Sequence, residues 1–381
     1  MKIVFVGLAS SFTPRMNYQD NALCHQMLAD GHQVIYISNP EKFVDGVMVD
    51  TDPEDIVLED GLHLIRVPYC KIGPTFCAKK FRKFKGVYKI LVRERPNVIF
   101  CHNTQYWSVL DVIRYKKEHP EVKFYADTHT AAYNSGTNWI SLNILHRGLY
   151  RYLTQKTLPY LEKYFYIGES ERKFSIENYA VPESVMEFYP LGGTIPAEEE
   201  YIAKRSCRRK ELNLGADEVL LLHSGKMGPL KRTVELLRAF AAVPEWKARM
   251  VIVGSFSEDM KVEIERLVEA DDRVQYLGWK TGDELREYLY ACDLYCQPGS
   301  VSATMQNAIC SRCPLLLYPH EPYTKDYDYG NIIWTKTEED MINAFCALKD
   351  GKIDLATLRD GSDRCAHELL DYRALAARLY R

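Results

Sequence analysis

One pattern, written twice along the chain, restricts its fold more than any single motif does. Short apolar runs alternate with longer stretches of helical periodicity, which is the sequence form of a parallel sheet covered by helices on both faces. In the first half, strands are expected at residues 2–7, 33–38, 63–67, 98–101, 123–127 and 164–168, with a helix over 20–31 that closes on Gly31. After an irregular segment at 190–200 a second series begins, with strands at 219–224, 249–254, 274–277 and 293–297 and helices at 233–242 and 259–269. The expected fold class is therefore α/β, as two doubly wound units in tandem. Gly192, Gly193 and Pro196 mark the break between them. The expected division is 1–193, then 194–362, then a last helix over 363–381 that packs back on the N-terminal domain. Length agrees: 381 residues exceed the roughly 250–300 at which one hydrophobic core stops growing.

Composition excludes several classes. With 46% apolar and 27% charged residues the chain is far from the signature of disorder, and a net charge of −3 lacks the basic excess of a nucleic-acid coat. The 11 cysteines form no CxxC pair and no Cys/His cluster at zinc spacing, which suits reduced thiols and a cytoplasmic setting. No run reaches the roughly 20 apolar residues of a membrane span, and MKIVFVGLASSF lacks the form of a signal peptide. Any membrane contact is expected to be peripheral, at the inner face of the cell membrane.

Two segments carry candidate chemistry. In LLLHSGKMGPLKRTVELLRAF, residues 220–240, a strand leads into a glycine-containing loop and then a helix. Gly225 lets backbone approach a ligand closely, and Lys226 and Lys231 are placed to converge on one diphosphate. In LYCQPGSVSATMQNAICSRCPLLLY, residues 294–318, a strand ends at Pro298, Gly299 bends the chain, and Ser300 or Ser302 caps the next helix. Both loops fall at the carboxyl ends of strands, where open α/β sheets bind ligands. For each serine taken singly, capping without a ligand is the simpler reading.

Gly225-Lys226-Met227 with Lys231, then MVIVG, VQYLGW and LYACDLYCQPG before a helix closed by Pro314, resembles in order and spacing the C-terminal domain of glycosyltransferase family 4. The opening KIVFVG, the run Gly31-His32-Gln33-Val34 and ADTH with His129 resemble the N-terminal domain of that family. The resemblance implies a GT-B fold, two Rossmann-like domains facing each other across a cleft, and a retaining transfer of a sugar from a nucleotide diphosphate-sugar, most often UDP- or GDP-linked. It implies that Lys226 and Lys231 neutralise the donor diphosphate, that His129 contacts the transferred sugar, and that the loop with Gly278 and Trp279 passes the base. It also implies no bound metal and no cofactor, the donor being a substrate; DLYCQPG holds one aspartate and no DxD pair.

One departure stands out. The family carries a pair of glutamates around the turn and helix before Pro314, and those places hold Gly299 and Asn307 here. Asn307 can still accept a ribose hydrogen bond, with Gln306 beside it, although a neutral acceptor is roughly half as strong as an ionised one.

The N-terminal unit is expected to hold the acceptor, a glycan, as a lipid-linked chain in surface polysaccharide synthesis. Its strand-end loops offer His102 and Asn103 in HNTQYW, and Arg15, Tyr18 and Gln19 in SSFTPRMNYQD, groups that suit sugar rings. Residues 77–96 read as one basic amphipathic helix, with Phe81, Phe84, Tyr88 and Leu91 on one face and lysines and arginines around it, suited to an anionic membrane. Packing of those aromatics on the sheet is the competing reading. Two rival functions remain beside glycosyl transfer: a catalytically silent partner subunit, favoured by the missing glutamates, and a nucleotide-sugar epimerase, which needs acid and base groups in the cleft.

Overall fold

The computed structural model describes every residue except 17, 45–46, 72–78, 303, 321–324 and 381. It divides into two compact units, one of 1–191 with 375–381 and one of 192–374. Each is a largely parallel sheet with helices on its faces, and the fold is GT-B, with two Rossmann-like domains.

Unit 1 is built on β1 (Lys2–Gly7), β2 (Gln33–Ser38), β5 (Glu54–Val57), β6 (His63–Arg66), β7 (Val98–Cys101), β8 (Lys123–Thr128), β9 (Lys163–Tyr166) and β10 (Met186–Phe188). The eight strands run in the order β10-β9-β8-β7-β1-β2-β6-β5, parallel except for β5, while β3 (Glu41–Val44) and β4 (Val47–Asp50) make a separate hairpin. Central strands are apolar at nearly every position because both faces are covered: Ile3, Val4, Phe5 and Val6 are all fully buried. Helix α1 (Gln19–Ala29) ends before Gly31, whose φ of +82° suits the left-handed turn into β2.

Unit 2 is a six-stranded parallel sheet in the order β13-β12-β11-β14-β15-β16, formed by β11 (Val219–Met227), β12 (Ala248–Phe256), β13 (Val274–Tyr276), β14 (Leu294–Gln297), β15 (Leu315–Leu317) and β16 (Ile332–Trp334). Strand order reverses between β11 and β14, so their carboxyl ends flank the crevice where sheets of this type take ligands. A buried ionic hub fixes the opposite end. Asp293 pairs with Arg205, Arg209 and Arg359, and its Oδ2 accepts the Leu220 N–H at 2.9 Å.

Three expectations change. The strand expected to stop at 224 runs on to Met227, so Gly225 and Lys226 lie in β11 and pair in register with Gly254 and Ser255 of β12. The basic helix expected at 77–96 is not one helix: helical backbone at 79–81 stops at Arg82, Arg82 and Gly86 take φ of +50° and +83°, and a separate helix, α2 (Val87–Glu94), follows them. Residues 77 and 78 lie outside the described residues. Phe84 and Leu91 from its apolar face are buried in the unit 1 core, where each contributes about 1.5–3 kcal/mol, whereas Phe81 of the same face is exposed. The last helix is also two: α12 (Leu355–Cys365) continues through a wide turn at Ala366–Leu370, extended backbone at Asp371 ends it, and α13 (Tyr372–Tyr380) follows. In unit 1, Arg378 of α13 pairs with Glu187 of β10 and donates to the Phe188 carbonyl at 2.7 Å.

Candidate active site

In unit 2 the candidate residues gather where β11 and β14 end. Beyond β11, Pro229–Lys231 forms a single tight turn, and α7 (Thr233–Ala241) follows it. The turn folds Lys231 back over Gly225: a Cβ on Gly225 would sit 3.8 Å from the Lys231 Nζ and 3.5 Å from its Cε. Both are ordinary van der Waals distances, and it is the φ of +133° at Gly225 that calls for glycine there. The Nζ donates to the Ser300 carbonyl at 3.4 Å, and no carboxylate pairs with it among the described residues. Burial lowers the Lys231 pKa, as it must for a cation without an anion beside it. Lys226 is exposed on β11.

The segment after β14 is held against the same turn. Ser300 donates its N–H to the Leu230 carbonyl at 2.7 Å, and a Cβ on Gly299 would stand 2.2 Å from that oxygen. No side chain fits at Gly299 unless the backbone of residues 230 and 231 shifts. Ser302 Oγ accepts the Thr304 N–H at 3.3 Å, a local cap for α10 (Thr304–Cys310), which at seven residues offers little helix dipole. Gln306 donates to the Tyr327 hydroxyl at 3.4 Å, and Asn307 is exposed. Gly278 takes φ of +67° and its carbonyl accepts the Gly254 N–H at 2.9 Å, which leaves Trp279 exposed beyond β13.

In unit 1 the centre is an aspartate that sequence reasoning passed over. Asp127 Oδ2 lies 3.1 Å from both the His129 Nε2 and the His102 Nδ1, and its Oδ1 accepts the Asn103 N–H at 2.8 Å. Burial opposes charge on Asp127 and His102, but the attraction wins: His102 is raised to about 9 and Asp127 is held well below the usual carboxylate range by the two imidazoles. The three side chains place donor atoms within 4.8 Å of one another, a spacing that would also admit a cation, although their own hydrogen bonds already satisfy it. The alternation of β8, carried one residue past its end, puts residues 127 and 129 on one side, the signal that would have found Asp127 beside His129. Asn103 adopts φ of +64° and its Oδ1 accepts the His129 N–H at 3.1 Å, fixing the two strand-end loops together.

His129 and Asn103 line a cavity of about 650 Å³ beyond the ends of β7 and β8. Its far wall is a π-helix, Ser141–Tyr150, whose wide turns of more than four residues carry Ser141, Leu145, His146 and Tyr150 into the cavity together. Other expected acceptor residues lie elsewhere in unit 1. Gln19 is buried and donates to the Pro190 carbonyl at 3.0 Å, Arg15 is exposed and pairs with Glu59 at 2.6 Å, and Tyr18 is exposed. His102 touches the cluster but not the cavity.

Residues 205–348 match the family model described as glycosyl transferases group 1. No curated protein matches the chain in sequence. Among solved structures the chain is similar to HepE of Anabaena in complex with UDP, with 14% identity over 99% of this chain and 98% of that one and a TM-score of 0.63. It is similar also to a glycosyltransferase of Rickettsia africae, with 12% identity over 99% and 96% and a TM-score of 0.64. A third is the sucrose-phosphate synthase of Thermosynechococcus elongatus, with 15% identity over 99% and 96% and a TM-score of 0.61. The matched segment spans β11 to α11 (Glu338–Lys349), the part of unit 2 that holds both candidate lysines. Matched segment and fold together support a glycosyltransferase. No helix among the described residues is long and apolar enough to cross a membrane.

Proposed function

We propose that this chain is a retaining glycosyltransferase of the family 4 type, which moves a sugar from a nucleotide diphosphate-sugar to a glycan acceptor, as in the synthesis of lipid-linked surface polysaccharide. The observation that carries the reading is Lys231, a half-buried ammonium without a carboxylate partner among the described residues, held over Gly225 at the reversal of strand order. Such a cation is costly to keep desolvated unless an anion completes it. A diphosphate does so, and the same charge then stabilises it as it leaves. In the transfer, the sugar C1 exchanges its bond to a diphosphate oxygen for one to an acceptor hydroxyl oxygen, and the hydroxyl proton is released. Preorganised cations facing such a leaving group contribute about 3–4 kcal/mol each.

In this reading Lys226 joins Lys231 on the diphosphate, Gly278 and Trp279 pass the base, and Ser300, Ser302, Gln306 and Asn307 surround the rest of the donor. His129, its ring fixed by Asp127, positions the transferred sugar. No metal and no cofactor enters, because lysines take the place of a divalent ion. UDP is the first nucleotide to try, since HepE binds it. The reading is tested by thermal unfolding with UDP, GDP, CDP and ADP. One nucleotide at 100 times its dissociation constant should stabilise the native state by about 2.7 kcal/mol, and Lys231→Ala should abolish that gain. No stabilisation by any of the four would reject it.

The exclusion of a side chain at Gly299 favours a second reading, a catalytically silent partner subunit. Hydrolysis or transfer of the donor sugar by the purified chain would eliminate it.

A further inference from the structure

The cavity of unit 1 is asymmetric in charge. Lys80 and Arg82 stand on one wall, and no aspartate or glutamate is among its lining residues. Neighbouring Lys79 shows what an ordinary lysine does at this place: it pairs with Glu41 at 2.7 Å and Asp50 at 2.9 Å. Lys80 and Arg82 pair with no carboxylate among the described residues. Both are nonetheless held in place from the backbone. The Tyr150 hydroxyl donates to the Lys80 carbonyl at 3.0 Å, and Arg82, at φ of +50°, reaches the Gln105 carbonyl with its Nη1 at 3.2 Å. A left-handed arginine is disfavoured unless its surroundings impose it.

Gln105 gives a second, independent sign of a missing ligand. The residue is 3% exposed, lines the cavity, and its Nε2 has no hydrogen-bond partner, while its Oε1 lies 3.2 Å from the Thr130 hydroxyl. Turning the amide over does not help, because one of its two ends then still lacks a partner. Buried polar groups left unmatched in this way call for a ligand atom or an ordered water. The positive wall is also felt by the cavity's own histidine. His146, whose Nδ1 faces the Tyr179 hydroxyl at 2.7 Å, is lowered to about 4 by burial first and then by Arg82 and Lys80.

We infer that this cavity takes the acceptor by an anionic group, a phosphate or carboxylate carried on a sugar, with Lys80 and Arg82 as its counter-charges and Gln105 as a neutral hydrogen-bonding partner. The inference rests on the glycosyltransferase reading and adds the chemical class of its acceptor. A volume of about 650 Å³ suits one or two sugar rings with an attached phosphate. Guanidinium and ammonium together recognise such a group through charge-assisted hydrogen bonds, roughly twice as strong as neutral ones.

The test is calorimetric titration of the full chain with glucose 1-phosphate, glucuronate and glucose, in saturating UDP so that the diphosphate site of unit 2 is already filled. Glucose 1-phosphate or glucuronate should bind at concentrations where glucose does not, more weakly as salt rises. Lys80→Gln, at an exposed position, should weaken that binding about tenfold, and Arg82→Gln at least as much. An octyl phosphodiester of glucose separates the two sources of such an anion: tighter binding than the free phosphate supports a lipid-linked acceptor, and equal binding a soluble one. Equal binding of glucose and glucose 1-phosphate, or unchanged affinity in Lys80→Gln, would overturn the inference. Stabilisation by UDP would persist in either case, whereas its loss in the wild type would count against the glycosyltransferase reading instead.

Discussion

The carbonyl oxygen of Gly225 lies 1.8 Å from where a Cβ on Gly254 would stand. Strands β11 and β12 therefore approach each other through two glycines at positive φ, 133° and 142°, one residue before Lys226. Gly254→Ala pushes a methyl group into backbone that cannot turn away. The expected cost is about 3 kcal/mol or more, from overpacking and backbone strain together, read as a lower midpoint in urea unfolding.

Asp293 should be as sensitive for a different reason. Its carboxylate is the shared partner of Arg205, Arg209 and Arg359, and burial would raise its pKa were it not for Arg205, the Leu220 N–H and Arg209, which hold it below the usual range. Asp293→Ala leaves three guanidinium groups crowded without their anion. A loss of about 3–5 kcal/mol is expected in urea unfolding. Conversely, Asp217→Ala removes only an exposed pair with Lys247 and should leave the midpoint nearly unchanged.

His102 gives a pH dependence with a definite sign. Its folded-state pKa is raised from 6.5 to about 9 because Asp127 outweighs the desolvation that would lower it. The imidazolium therefore stabilises the fold fully below pH 6.5, and that contribution, roughly 3 kcal/mol, disappears as pH rises through 9. Urea unfolding from pH 6 to 10 should show this decline, and His102→Gln should flatten it. Asp127, lowered by the same interaction, loses its contribution at the acid end, as pH falls through the carboxylate range.

Turnover should separate the two lysines from the histidine. Lys231→Ala is expected to lower kcat at least about a hundredfold, and Lys226→Ala comparably, by removing charge from the leaving group. Asp127→Asn keeps the shape but frees the His129 ring, so kcat should fall while the UDP affinity of unit 2 stays as it was. Donor-turnover assays paired with nucleotide titration distinguish these outcomes.

Much of this architecture is written in local sequence. A strand buried on both faces must be apolar along its whole length, as Ile3 to Val6 are, and a helix that turns into a following strand needs a residue such as Gly31 at positive φ. Periodicity therefore reveals both sheets and places Lys226 and Lys231 at a strand end. It fails where two patterns compete. Residues 77–96 have the spacing of one amphipathic helix, yet Phe84 and Leu91 gain more in the core of unit 1 than on a surface face, and the chain breaks at Arg82 and Gly86 to let them in.

What the sequence alone determined, then, is what short-range physics can determine: the elements, their order, and which polar residues fall at the ends of strands. The partners of those residues were decided only by tertiary structure. Asp127 meets His102 across 25 positions, Lys231 is placed over Gly225 by a turn, and Gly299 is closed to any side chain by the backbone of residues 230 and 231. A hydrogen bond or a steric exclusion depends on distances of a few tenths of an ångström between segments far apart in the chain, and no spacing rule along one strand carries that information.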